Sequence, residues 1–289
     1  MPPIASRNPE AALYMLVADG EVKGVEGARA IAWFERSELA LSDDEAYWVR
    51  LGPLDGRDRY AAIRIGVARA AEAAPFRPAR QTGFLGLSQL GRSAPAELQH
   101  AARALHMGAW LHRSRYCGTC GAPSAYVTDL NKRVCANQAC GHESFPRIEP
   151  AIITLLTDGA RCLLARQAVF PKGYYAPLAG FVEAGETPEQ AVSREVLEEV
   201  GLAVQSAAYV TAQPWPYPNS LMLGFIAHAE PGQPILASGE IEDAIWVDRD
   251  SLANPGAGTL LLPPPGVIGR LLIERWLNAS AAPCRAPSR

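Results

Sequence analysis

Glu195, Glu198 and Glu199 stand at i, i+3 and i+4 in the stretch PEQAVSREVLEEVG. On a helix this spacing gathers three carboxylates on one face within a few ångströms. Such a cluster repels itself unless a cation sits on it. Hard oxygen ligands at this density suit Mg2+ or Mn2+, ions that also grip phosphate oxygens. A second set of ligands is sulfur: Cys117, Cys120, Cys135 and Cys140 follow the spacing C-x2-C-x14-C-x4-C. Two close pairs separated in this way bind Zn2+ tetrahedrally, each on a tight knuckle, the first marked by Gly118 and Gly121. Four thiolates close the coordination sphere, so this zinc would be structural, stapling a module too small to hold its own core. His142 is an alternative ligand, because the second pair is the more widely spaced.

The glutamates need a helix, and its ends are written in the chain. Thr187 is placed to cap it, Pro188 takes the first helical position, Gln190 completes a capping box and Gly201 stops it. Val192, Val196 and Val200 supply the buried face. Upstream, Ser93 with Pro95 just inside predicts a helix of about five turns leading into the first cysteine pair. His100, His106 and His112 lie on it; six-residue steps rotate about 240°, so they share no face and read as polar-face or packing residues. Ala151 to Thr157 and Arg161 to Arg166 flank Asp158-Gly159 as a β-hairpin, with Cys162 as a small core residue. Tyr174 to Gly180 forms a strand and loop entering the acidic helix, and Leu202 to Thr211 resumes a β pattern. Residues 1 to about 92 carry short alternating runs, Ala12 to Val17 and Tyr60 to Val67, with turns at Asp19-Gly20 and Asp55-Gly56. They predict a β-rich domain in which Glu35, Arg36 and Asp43 to Glu45 are surface charge. Lys132 and Arg133, between the cysteine pairs, would suit nucleic acid, although one basic pair reads more simply as a solvated turn.

Further along, Gln213-Pro-Trp-Pro-Tyr-Pro-Asn-Ser220 packs three prolines with Trp215 and Tyr217. This predicts a rigid aromatic loop fit for a planar ring, a partner chain or simple packing. The chain as a whole, 289 residues with 48% hydrophobic, is long enough for two domains with real cores. A formal charge of −3 gives no global attraction for nucleic acid or an anionic membrane. No apolar run approaches the roughly 20 residues of a membrane helix. The start MPPIASRNPEAALYML has a short apolar part and no basic leader. The cysteine usage fits a reducing compartment, and the expected location is the cytoplasm.

Gly180, Glu186 and the run Arg194-Glu195-Val196-Leu197-Glu198-Glu199-Val200-Gly201-Leu202 match the Nudix box, Gx5Ex7REUxEExGU, at every specified position. The chain therefore resembles a Nudix hydrolase, which implies an α/β/α sandwich with a mixed sheet, of α+β or α/β class. The resemblance also implies metal-dependent cleavage of a nucleoside diphosphate linked to another moiety. Gln213 to Ser220 is similar to the SQPWPFPxS signature of the NADH pyrophosphatase branch, with Ala212 for Ser and Tyr217 for Phe. FPR-x-x-P at Phe145, LAGFVE at Leu178 and LPPPG at Leu262 resemble that branch in the same order, and the similarity runs from about residue 110 to 277.

This predicts residues 1–112 as an N-terminal β-rich domain with a trailing helix, 113–144 as a zinc ribbon and 145–289 as the catalytic domain. The resemblance implies that Glu195, Glu198 and Glu199 ligate Mg2+ or Mn2+, with Glu186 auxiliary and Arg194 orienting a glutamate. A further carboxylate is expected outside the box: Glu240 matches the family position, with Glu242 and Asp243 as rivals. Phe145 and Phe181 would sandwich the nicotinamide, while Gln213, Trp215, Tyr217 and Ser220 would line the substrate pocket. Zinc would be structural and the enzyme a homodimer with no membrane partner. The implied reaction is hydrolysis of NADH or NAD+ to the corresponding nicotinamide mononucleotide and AMP. The alternatives are removal of NAD caps from RNA 5′ ends by the same site, or a non-catalytic nucleotide sensor.

Overall fold

The computed structural model describes residues 12–18, 21–25, 30–39, 41, 45–65, 82–85, 94–236, 239–253 and 260–279. The chain divides into two compact units, Met1–Ile148 with Trp215–Asn219, and Glu149–Pro214 with Ser220–Arg289.

In the first unit a sheet is built from β1 (Leu13–Ala18), β2 (Glu21–Val25), β3 (Ala30–Ile31), β4 (Phe34–Glu35), β5 (Tyr47–Leu54), β6 (Arg57–Arg64) and β7 (Thr82–Leu85). Its main path runs β3-β2-β1-β6-β5, with β4 on β1 and β7 on β2. Side chains alternate between faces, as a period of two requires. Met15, Val17, Val49, Ala61 and Ile63 face helix α1 (Pro95–Arg113) and pack with its Ala101, Leu105, Trp110 and Leu111. Tyr14, Leu16, Trp48, Tyr60 and Ala62 form a second cluster with Leu39 and Leu41. The Asp55-Gly56 turn is present, both residues having positive φ (51° and 74°), as a tight antiparallel hairpin demands. The Asp19-Gly20 turn and Asp43 lie outside the described residues. The α1 N-cap is Ala94, not Ser93: Pro95 takes the first helical position, and Glu97 accepts from the Ala94 N–H at 3.0 Å. Ser93 itself lies outside the described residues.

The cysteine segment folds as a three-stranded sheet, β8 (Ser124–Val127), β9 (Lys132–Cys135) and β10 (Glu143–Ser144), in the order β10-β9-β8. Here the expectation of a solvated basic turn fails. Arg133 is 3% exposed, lies over the Tyr47 ring, and donates to Ser124 O (2.7 Å), Leu111 O (3.0 Å) and Tyr47 Oη (3.2 Å). Carbonyls from β8 and from the end of α1 meet a cation there and need no water. Lys132 is paired with Glu143.

The second unit is a six-stranded mixed sheet between helices. Its strands are β11 (Glu149–Thr157), β12 (Arg161–Gln167), β13 (Leu178–Phe181), β14 (Val204–Trp215), β15 (Ser220–Ala229) and β16 (Ile241–Asp248). They run β14-β15-β11-β12-β16, with β13 on β11. β11 and β15 are parallel from Glu149↔Ser220 to Thr157↔His228, and β11 to β12 is the predicted hairpin. Asp158 closes that hairpin by accepting from Ala160 N and Arg161 N. Helix α2 (Pro188–Val200) covers one face, its Ala191, Val192, Val196 and Val200 packing on Ile152, Leu156, Leu163 and Phe225. The other face meets α3 (Arg249–Ala253) and α4 (Ile268–Asn278) through Leu252, Ile268, Leu272, Ile273 and Trp276. Cys162 is wholly buried there, its thiol pushed up to about 12 by burial, as a core residue should be. The α/β/α sandwich implied by the resemblance is thus present. One boundary differs: β14 runs through Pro214 to Trp215, so the turn proper is only Pro216–Asn219.

Replacing Arg133 with Met should leave the Leu111 and Ser124 carbonyls unsatisfied and cost about 1–3 kcal/mol. Chemical denaturation against a Lys132→Ala control, expected to be near neutral, checks this.

Candidate active site

The acidic helix begins and ends where its sequence dictates. Thr187 Oγ1 accepts from Gln190 N at 3.3 Å, and Gln190 Oε1 accepts from Thr187 N at 2.8 Å. Gly201 ends the helix in the left-handed conformation at φ 66°. These caps fix where α2 begins and ends, and the helical period then puts the valines in the core and the glutamates along its border.

One guanidinium organises them. Arg194 grips Glu186 with two parallel bonds, Nε to Oε1 at 2.7 Å and Nη2 to Oε2 at 3.0 Å. Its Nη1 reaches Glu195 Oε1 at 2.9 Å and Glu198 Oε2 at 3.2 Å, while Nη2 also donates to Phe181 O at 2.8 Å. The Arg194 bonds hold the Glu186 carboxyl below its usual range, with help from the Glu183 N–H. Glu195 presses against β13: a Cβ on Gly180 would stand 1.9 Å from its Cδ and 2.0 Å from its Oε1. Only glycine leaves room there for the carboxylate.

Glu199 differs from its neighbours. It is 2% exposed, and its Oε2 is buried with no hydrogen-bond partner. Burial pushes its carboxyl up to about 8, and the charges of Glu195, Glu240 and Glu198 push it in the same direction. Glu195 is raised as well, first by burial, with Glu198 and Glu240 adding to it. A buried carboxylate with an orphaned oxygen beside other carboxylates fits a bound cation. The two rivals of Glu240 are engaged elsewhere. Glu242 pairs with Arg166 at 2.8 Å, and Asp243 accepts from the Tyr175 hydroxyl.

The resemblance-derived pocket residues fall in both units. In the second, Phe181 is 55% exposed at the end of β13. Ser220 is buried where β15 starts. The Gln213 amide is taken up structurally: Nε2 donates to Gly266 O at 2.9 Å and Oε1 accepts from Ile268 N at 2.8 Å, capping α4. In the first unit Phe145 is exposed, and Trp215 meets Tyr217 edge-on at 5.8 Å. Asn219, which sequence reasoning did not single out, is buried and holds this turn by donating to Arg147 O at 3.2 Å and accepting from Arg113 at 3.1 Å. Asparagine at the end of a proline-rich turn, able both to donate and to accept, was the signal available.

The four cysteine sulfurs lie within 4.8 Å of one another, the one such convergent set among the described residues, and His142 is not part of it. Cys117 and Cys140 are 3.9 Å apart and Cys120 and Cys135 3.5 Å, close to the roughly 3.8 Å edge of a tetrahedron with 2.3 Å Zn–S bonds. Gly121 and Gly141 follow the last cysteine of each knuckle at positive φ (74° and 58°). Amide N–H groups of Thr119 and Cys120 point at the Cys117 sulfur and hold its thiol down to about 6, favouring the thiolate that a metal binds.

The NUDIX domain family matches residues 147–262. The chain is 38% identical over 239 residues to the NAD-capped RNA hydrolase NudC of Mycobacterium bovis, covering 79% of this chain and 74% of that protein. It is 42% identical over 226 residues to the protein of the same name from Chromobacterium violaceum, covering 78% of each. Among solved structures, a NUDIX hydrolase from Nitrosomonas europaea aligns at 17% identity and TM-score 0.41, covering 51% of this chain and 97% of that one. Identities of this size across most of both proteins mark common descent, and the chain belongs to the NADH pyrophosphatase branch of the Nudix hydrolases, a family of divalent-metal-dependent enzymes.

Proposed function

We propose that this enzyme adds water across the diphosphate of NAD(H), releasing nicotinamide mononucleotide, reduced or oxidised, and AMP. The observation that carries the reading is Glu199, a buried carboxylate with an orphaned oxygen amid Glu195, Glu198 and Glu240. Glu195, Glu198, Glu199 and Glu240 would hold Mg2+ or Mn2+. When bound, such an ion supplies charge neutralisation for the diphosphate and activation of water. Arg194 sets the rotamers of Glu186, Glu195 and Glu198 rather than touching substrate. Phe181, exposed beside Gly180, offers a face for the nicotinamide ring. Gln213 serves the pocket indirectly, through the 266–268 segment it holds. The relatives' name favours a second substrate, NAD at the 5′ end of RNA, cut by the same groups. The cysteine set would hold one structural zinc, and the enzyme would work as a cytoplasmic homodimer.

Turnover of NADH, NAD+, ADP-ribose and NAD-capped RNA on one preparation separates these substrates. AMP and nicotinamide mononucleotide are the expected products, and tight NAD binding without turnover would sink the enzymatic reading in favour of a sensor. Glu198→Gln and Glu199→Gln should each lower kcat by about 100-fold or more, the scale of losing one preorganised electrostatic group.

Proton linkage gives a second expectation. Folded Glu199 holds its proton more tightly than the unfolded chain does, so its stabilising contribution is complete below about 4.5 and is lost as pH rises to about 8. Without divalent ions, Tm should fall from pH 5 to 8. Mn2+ should restore it more at pH 8 than at pH 6, and Glu199→Gln should flatten the profile; a profile unchanged in that variant would contradict the assignment.

Elemental analysis should find one zinc per chain. Cys135→Ser should lose it and lower Tm, whereas Glu199→Gln should retain it.

A further inference from the structure

Glu240 stands in a bend immediately ahead of β16, which begins at Ile241. A side chain so placed takes its direction from the first residues of the strand behind it. Those residues are irregularly paired. Arg166 of β12 lies opposite Asp243 and Gln167 opposite Ile241, which leaves Glu242 without a cross-strand partner in a one-residue bulge. Side chains of an unbroken strand alternate, so Ile241 would share a face with Ile245 and Val247, which pack toward α4. Instead it packs in the cluster that α2 covers, alongside Ala244 and Trp246. The bulge has moved the chain ahead of it by one side-chain step, a device that re-aims residues next to functional sites.

Two polar contacts hold the bulge, one on the unpaired residue and one on its neighbour. Arg166, largely buried, pairs with Glu242 at 2.8 Å, and the Tyr175 hydroxyl donates to Asp243. Tyr175 is itself anchored, its N–H donating to Leu261 O at 2.9 Å and its ring packing against the α4-side core. The acids 242 and 243 are thus held by β12 and by the segment before β13, while Glu240 directly precedes Ile241, whose side chain packs in the cluster with Val192, Val196 and Val200 of α2.

We propose that Arg166 and Tyr175 are positioning residues for Glu240: by pinning Glu242 and Asp243 they lock the bulge that directs the Glu240 carboxylate at the α2 cluster. This rests on the reading of Glu240 as a ligand of the divalent ion.

The test is Mn2+ affinity, measured without substrate by titration calorimetry or by the electron paramagnetic resonance of free Mn2+, with Tm recorded for each variant. Tyr175→Phe removes only the hydroxyl and keeps the ring in the core. Tyr175→Phe and Arg166→Met are each expected to weaken Mn2+ binding by about 10-fold, the usual scale for residues that orient metal ligands. Glu240→Gln should weaken it at least as much, and Glu240→Gln/Tyr175→Phe should be no worse than Glu240→Gln alone, since one acts through the other. Should Arg166→Met fail to fold, Tyr175→Phe carries the comparison. Parental affinity in Tyr175→Phe beside a weakened Glu240→Gln would overturn the positioning role and leave Glu240 as a ligand. Additive losses in the double variant would overturn it too. Unchanged affinity in Glu240→Gln would remove both the ligand and its positioning.

Discussion

The glutamates bordering α2 can crowd together because one planar cation answers most of them. Arg194 spends its fork on Glu186, Glu195 and Glu198 and its remaining reach on the Phe181 carbonyl, tying the helix to the end of β13. Its geometry also decides what is left over. Glu199, one helical turn beyond Glu195 on the buried border, gets nothing from this guanidinium at its inner oxygen. The site thus separates carboxylates already satisfied by the protein from one whose charge calls for a proton or a cation. That division, more than the number of acids, is what supports reading the cluster as a metal site rather than a solvated helix face.

The sandwich exists to hold this border still. α2 is fixed in rotation by its valines and in translation by its caps, and the sheet beneath it is fixed by β11, whose side chains are buried on both faces along Ile152 to Leu156. The helices on the two sides bury different residues of the same strands, so neither face can slip without disturbing the other. Glu240, the proposed ligand that does not lie on α2, sits where regular structure breaks off, in the bend ahead of β16.

Legibility followed the range of the interactions. Thr187, Pro188, Gln190 and Gly201 act within one or two turns, so the bounds of α2 could be read directly, as could the Asp158-Gly159 hairpin and both cysteine knuckles. The length of β14 could not, because Pro214 looks like a breaker. β14 is an edge strand, where a missing N–H need cost no ladder bond, and the strand passes through. Arg133 read as surface because its partners, Tyr47 above all, lie far off in sequence. Glu240 was preferred to Glu242 and Asp243 through the resemblance alone; that Arg166 takes up Glu242 and the Tyr175 hydroxyl takes up Asp243 depends on contacts distant in sequence.

Gly180 carries one last consequence. The space its side chain would fill is occupied by the Glu195 carboxyl group, a residue fifteen positions later. The first glycine of the motif and its second glutamate are therefore two descriptions of the same small volume, one vacating it and the other filling it. A signature that looks like a string of independent requirements is, at these two points, a single steric fact. A larger residue at 180 would have to push the Glu195 carboxylate aside and so away from its bond with Arg194.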